Sequence, residues 1–256
     1  MRLVREGSDT IGIMTTAKTP ENSAISKDWK PIYKRWWFWV IEIPFIVIFV
    51  GALLRIPALN EKERTEQVVA QIHAQRLTLA DVNGENLPPQ PDPAKVDATI
   101  EGIDVNWNGI RDDVELAIFK KYPNSARIRA AELQYAMELQ RELTSVFNSE
   151  TLVATIQEEG RGYLCLNEGI PSDIPRFSDL QSMSEWLKVK KNANLFNQEH
   201  KRTSAILDSR TQEVENLVFN NQIRKDKHEM IYRKYMTSFG SLSNESCDID
   251  IASLAN

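Results

Sequence analysis

Residues Trp36–Leu54, WWFWVIEIPFIVIFVGALL, decide how the rest of this chain is read. Within these 19 residues one side chain is ionisable, Glu42. As an α-helix the run spans ~28 Å, close to the hydrocarbon thickness of a bilayer. Trp36, Trp37 and Trp39 gather at one end, where indole rings settle at headgroup level, and Lys30, Lys34 and Arg35 stand just before them. Arg55 and Pro57 close the far end. A buried helix of a soluble domain accounts less well for so apolar a run with an aromatic, basic edge. A cleaved signal peptide needs a short leading region and a small-x-small site, whereas 35 residues precede this run and no clean site follows it. The expectation is an uncleaved signal-anchor, a transmembrane helix at 36–54 in contact with membrane lipid.

Glu42 lies about two turns inside the span, where a carboxylate is costly and a functional role is the default reading. Proximity to the Trp-rich interface, with water or Arg35 as partner, is the plainer account. Pro44 removes a backbone donor and predicts a kink. Four basic residues, Lys27, Lys30, Lys34 and Arg35, precede the span. Arg55, Lys62 and Arg64 follow it, interleaved with Glu61, Glu63 and Glu66. The balance favours a cytoplasmic N-terminus and a periplasmic C-terminal domain at a bacterial inner membrane.

Charge divides the chain the same way. Residues 1–35 carry net +3, the whole chain −5, and residues 56–256 therefore −8. Polyanion binding needs clustered Lys and Arg, so nucleic acid is set aside as a partner. Lys188, Lys190 and Lys191 form one local exception, read as a solvated helix face.

The expected divisions are a disordered cytoplasmic tail at 1–35, the membrane helix at 36–54, a juxtamembrane helix at 55–82, a Pro-rich linker at 83–103 and a helical domain at 104–256. Val68, Val69, Ile72 and Leu79 recur at helical spacing in the juxtamembrane part. NGENLPPQPDP at 83–93 holds four prolines and cannot form a regular helix. Beyond it, helices are predicted from Asp112 to about Lys121, then with Ile128, Ala131, Tyr135, Leu139, Leu143 and Val146 on an apolar face, then from Ser149 to about Glu159 with Gly160 and Gly162 as the stop. Another is predicted to open at Ser178, and a long one from about Phe196 to Phe239. No period-two strand or internal repeat stands out. The fold class is all-α: one N-terminal transmembrane helix, then a helical extracytoplasmic domain.

One motif carries chemistry. Residues 104–115, DVNWNGIRDDVE, fit D-x-N-x-N-G-x5-E. Calcium takes six to eight hard oxygen ligands, and a twelve-residue loop can wrap them around it. Asp104, Asn106 and Asn108 offer side-chain oxygens, Ile110 its backbone carbonyl, Asp112 a direct or water-mediated contact, and Glu115 both carboxylate oxygens. Gly109 allows the sharp turn. The competing reading is a metal-free loop of Asx turns leading into a helix cap.

This segment resembles the calcium loops of the EF-hand and dockerin-like families. The wider stretch from Pro88 to Glu115 resembles an element of uncharacterised exported proteins of Gram-negative bacteria. The first resemblance covers twelve residues and implies a calcium ion held by Asp104, Asn106, Asn108, Ile110, Asp112 and Glu115. Two departures qualify it. Arg111 stands where paired loops place an apolar residue, and residues 93–103 make no convincing entering helix. A lone structural site, joining the Pro-rich strap to the helical domain, is the expectation rather than a sensor pair.

Two cysteines, Cys165 and Cys247, both follow the span. A disulfide between them is expected if the domain faces an oxidising space; two buried free thiols are the alternative. His73, His200 and His228 sit in polar helical stretches and read as surface residues. No catalytic signature stands out, and no catalytic residue is assigned. The functional expectation is a membrane-anchored interaction or scaffold protein with an envelope or membrane protein as partner. A regulatory or sensor subunit using Glu42 and the tryptophans, and an unrecognised carboxylate hydrolase, are the alternatives.

Overall fold

The computed structural model describes residues 36–175, 179–240 and 246–255. The tail expected at 1–35 and the helix start expected at Ser178 lie outside the described residues. The chain divides into two compact units, Met1–Ile56 and Pro57–Asn256. Among the described residues the structure is helical and contains no strand.

The described part of the first unit belongs to helix α1, Trp36–Ala74. The helix is continuous past Pro44 and Pro57, so the proline expected to close the span does not end it. Phe45, Ile48 and Phe49 are more than half exposed, and none of the most apolar window of the helix is buried inside the protein. An apolar surface of this kind has no water-compatible covering of its own. By length and composition the helix can cross a membrane.

In the second unit, α1 ends at Ala74, earlier than the expected juxtamembrane helix. Thr78 then caps α2, Leu79–Asn83, in a reciprocal capping box with Asp81. Gly84, in the left-handed conformation, stops it. The Pro-rich stretch contains one turn of helix, α3, Pro93–Val96, with Asp92 as cap and Pro at its first position, where a missing N–H costs nothing. There follow α4, Asp112–Lys121, α5, Ala126–Ser145, α6, Ser149–Glu168, α7, Leu180–Leu187, α8, Lys190–Val218, and α9, Gln222–Tyr235. A short 3-10 turn, Ile251–Ser253, ends the described chain. Side chains of Ser125, Asn148, Asp179 and Asn221 cap α5, α6, α7 and α9.

Helix α5 is the axis of the unit. It packs against α2, α4, α6, α8 and α9, and residues 129–143 are buried on every face. The apolar face predicted from Ala131, Tyr135, Leu139 and Leu143 is in the core. The polar face is buried as well, because partners from other helices meet it. Gln134 donates to the Ser246 carbonyl and accepts from the Asp248 N–H, clamping the C-terminal segment. Helix α6 continues through Gly160 and Gly162, beyond the expected stop. A Cβ at Gly162 would lie 3.1 Å from the Tyr135 backbone, so glycine is there for close approach of α5 and α6, not for a break. The long helix expected to Phe239 is two, separated at Phe219–Asn221.

The Sγ atoms of Cys165 on α6 and Cys247 lie at bonding distance, 2.09 Å. Around this link Asp248 accepts from the Leu77 N–H and pairs with Arg161, and the Arg127 N–H donates to the Ala255 carbonyl. The C-terminal segment is thus held to the connection between α1 and α2, to α5 and to α6.

Two histidines expected at the surface meet buried carboxylates instead. His73 Nδ1 lies 2.7 Å from Glu158 and His228 Nδ1 2.7 Å from Glu142. The His228 ring also packs on Phe219 and Tyr232. The Glu142 carboxylate, with Glu159 and Glu215 farther off, holds the His228 imidazole above its ordinary value near 6.5. A group raised in the fold contributes stability that is complete below the unfolded value and is lost as pH rises through the folded one. His228→Gln is therefore expected to flatten the fall in melting temperature between pH 6 and 8. The effect is under about 1 kcal/mol, because the imidazole is 39% exposed and solvent screens the pair. Parallel melting curves for parent and variant across that range would contradict this.

Candidate metal centre

The loop 104–111 is entered from non-helical residues 97–103 and runs directly into the first turn of α4. Its shape comes from its own side chains. Asp104 Oδ2 accepts from the Gly109 N–H at 2.9 Å, Asn106 Oδ1 from the Asn108 N–H at 3.3 Å, and Asn108 Oδ1 from the Ile110 N–H at 2.8 Å. Asp112 Oδ1 reaches back to the Val105 N–H, while the Asp112 N–H donates to the Ile103 carbonyl. The Asn106 and Asn108 bonds are two successive Asx turns, and Asp104 and Asp112 brace the loop from its two ends. Gly109 has φ +88, and a Cβ there would meet the Gln75 amide at 2.5 Å. That amide donates to the Asn108 carbonyl and ties the loop to the end of α1.

Six sequence-assigned positions are accounted for as follows. Asp112 and Glu115 are fully buried, Ile110 nearly so, and Asp104, Asn106 and Asn108 partly. Asp104 Oδ1, Asp112 Oδ2 and Glu115 Oε1 are buried with no hydrogen-bond partner. Loss of water raises the carboxyls of Asp104 and Asp112 above the usual range and pushes Glu115 up to about 7. The Asn106 side chain donates to Glu115 Oε2 at 3.0 Å and to the Asn86 carbonyl at 2.9 Å. An amide N–H thus occupies part of the space in front of Glu115. Among the described residues no group of three His, Cys, Asp or Glu side chains converges as a ready metal site.

Oxygen is the donor type that a hard cation takes. All candidate ligands are oxygens, and each of the three carboxylates directs one oxygen to an interior where nothing answers it. Asp104 belongs to the loop and Asp112 and Glu115 to the first turn of α4, where the helix N-terminus favours negative charge but leaves the orphaned oxygens without a donor. For Asn106 to join as a ligand, its amide must turn so that Oδ1 replaces Nδ2 toward Glu115.

Arg111, the departure from the paired-loop pattern, is fully buried. Its guanidinium makes a two-point contact with Asp113 and donates to the Leu217 and Val218 carbonyls at the end of α8. It fixes the loop to a helix C-terminus, a task an apolar residue cannot perform. A second buried arginine, Arg224 on α9, donates to the carbonyls of Val96, Thr99 and Ile100 and pairs with Asp97. Asp81, Gln75 and Asn86 complete the surroundings of the loop. Sequence spacing gave no sign of them, since they arrive from other segments.

Buried carboxylates elsewhere sit between helices. Burial pushes Glu132 and Glu159 up to about 7, yet neither lines the two cavities that flank the loop. No family model matches this chain, and comparison with curated proteins and with solved structures returns no similar one.

Proposed function

We propose that this chain is a single-pass, membrane-anchored interaction protein whose extracytoplasmic helical domain is held in shape by one calcium ion and one disulfide. The observation that carries this reading is the trio of buried, unpartnered oxygens on Asp104, Asp112 and Glu115. Unanswered carboxylate oxygens inside a protein are costly, and a divalent cation offsets that cost by taking the place of the missing donors. Asp104, Asn106, Asn108, the Ile110 carbonyl, Asp112 and Glu115 would hold the ion. Its contribution is structural: it neutralises the carboxylates and joins the segment pinned by Arg224 to the helix pinned by Arg111.

Placement in a bacterial inner membrane, N-terminus in the cytoplasm and domain in the periplasm, is supported by the basic flank before the span. The Cys165–Cys247 pair supports it too, since such a link persists in an oxidising space. An envelope or membrane protein is the proposed partner class.

Full-length protein in lipid nanodiscs is expected to melt higher in excess calcium than in chelator, with about one calcium bound per chain. At calcium a hundredfold above its dissociation constant the gain is about 2.7 kcal/mol. Asp104→Ala and Glu115→Ala are each expected to abolish the difference. Equal melting with and without chelator, and no bound metal, would reduce the loop to a turn and a helix cap.

A further inference from the structure

Trp107 sits at the tip of the loop with φ +60 and 86% of its surface exposed. Both features need a reason. A bulky residue is rare in left-handed backbone, where Gly or Asn is the easier choice. An indole packed against nothing also adds nothing to the core. The side chain instead stands between two cavities, of about 530 and 430 Å³, which share Asp104, Trp107, Gly109 and Thr144 as lining. Together they form a groove between the loop, the end of α1 and the last turn of α5.

The groove wall combines amides and hydroxyls with the charged side chains of Glu101, Asp104 and Arg141. Gln71 comes from α1, Gln75 directly follows that helix, and Gln140, Thr144 and Ser145 come from α5. Amides and hydroxyls both donate and accept hydrogen bonds. Arg141 Nη1 pairs with Glu138 and donates to the Ile72 carbonyl, and Asp104 Oδ2 accepts from the Gly109 N–H, while Arg141 Nη2 and Asp104 Oδ1 have no hydrogen-bond partner and Glu101 is exposed. Gln140 is buried; its amide N–H donates to the Glu101 carbonyl, and its Oε1 has no partner. Trp107 is the one aromatic residue among the lining residues of either cavity.

The carboxylates of Glu101 and Asp104 in the wall disfavour an anion, and a single aromatic among amides disfavours an apolar helix, which needs an apolar trough. A sugar suits both features: the C–H face of a pyranose ring covers an indole, and its hydroxyls exchange hydrogen bonds with amides and hydroxyls at the rim. We propose that this groove binds a neutral oligosaccharide, one ring stacked on Trp107 and the neighbouring rings held by Gln71, Gln75, Gln140, Thr144 and Ser145. The site goes beyond the calcium reading. It shares Asp104 and Gly109 with the loop, but its sugar contacts come from residues outside the proposed ligand set.

The test is calorimetric titration of full-length protein in nanodiscs, in excess calcium, with chitotetraose, cellotetraose and maltotetraose, bound metal being assayed on the same sample. At least one of the three is expected to bind saturably. Trp107→Gly is expected to weaken that binding at least about tenfold through loss of the stacked ring. The same variant should melt no lower than the parent, because glycine accepts φ +60 freely; this separates sugar contact from a role in folding. Trp107→Tyr should keep most of the affinity. No binding by any of the three at ~10 mM sugar, an affinity below which no specific site is worth the name, overturns the proposal, as does Trp107→Gly binding like the parent. Calcium present without sugar binding sinks the groove alone, and sugar binding without calcium sinks the metal reading alone.

Discussion

Full-length protein carrying both Cys165→Ser and Cys247→Ser is expected to lose about 4–5 kcal/mol of stability, the chain-entropy value for a cross-link that closes 82 residues. The loop is long because the link joins α6 to the end of the chain, across α7, α8 and α9. Cutting it opens this 82-residue loop in the unfolded state while changing few contacts in the folded one. That entropy value is an upper figure, since Gln134, Asp248 and the Ala255 carbonyl still hold the C-terminal segment. Equilibrium unfolding in urea measures the loss, and a steeper denaturant dependence in the variant would show the unfolded chain opening further. Denatured, unreduced parent protein should give no alkylated thiol. Two alkylated thiols there would remove the basis of the prediction. A loss below about 1 kcal/mol would mean that the non-covalent contacts of the tail suffice by themselves.

The membrane-compatible helix was legible because a bilayer imposes length and apolarity together, and few other environments do. The helical class was legible from apolar spacing. Boundaries failed where tertiary packing overrode local preference. Gly160 and Gly162 look like a stop, since each costs about 1 kcal/mol in a helix. Close packing of α6 on the Tyr135 backbone makes Gly162 the residue that fits. Polar residues on α5 look like a solvated face, yet Glu132, Gln134, Glu138, Gln140, Arg141 and Glu142 are buried. Sequence periodicity assigns one wet face to a helix and cannot foresee one surrounded on all sides. Both histidine contacts escaped for the same reason: Glu142 and Glu158 are more than 80 residues from His228 and His73. In the loop, Asn106 and Asn108 take the Asx-turn geometry their spacing predicts. The Asn106 contacts with Glu115 and Asn86 depend on side-chain orientation, which spacing does not encode.

Arg224→Ala is expected to destabilise the domain by about 3–5 kcal/mol and to weaken binding of the proposed calcium ion as well. The guanidinium is fully buried on α9 and gathers the segment before the loop, through the Val96, Thr99 and Ile100 carbonyls and Asp97, while also donating to Asn220 just before its own helix. Its hydrogen bonds hold the Asp97 carboxyl below the usual carboxylate range. Alanine would leave those carbonyls without a donor, and such losses approach the full cost of desolvation. Lysine carries the charge but lacks the planar fork, so Arg224→Lys should recover less than half of the loss. The segment so held ends at Ile103, next to Asp104 and hydrogen-bonded to the Asp112 N–H. Freedom gained there spreads directly into the proposed ligand set, and ordering it again on metal binding must lower the affinity. Urea unfolding gives the first effect and calcium titration the second. A destabilised variant with unchanged calcium affinity would show that Arg224 fixes the packing of α9 and not the loop. A variant that loses both would establish that the strap and the loop fold as one element.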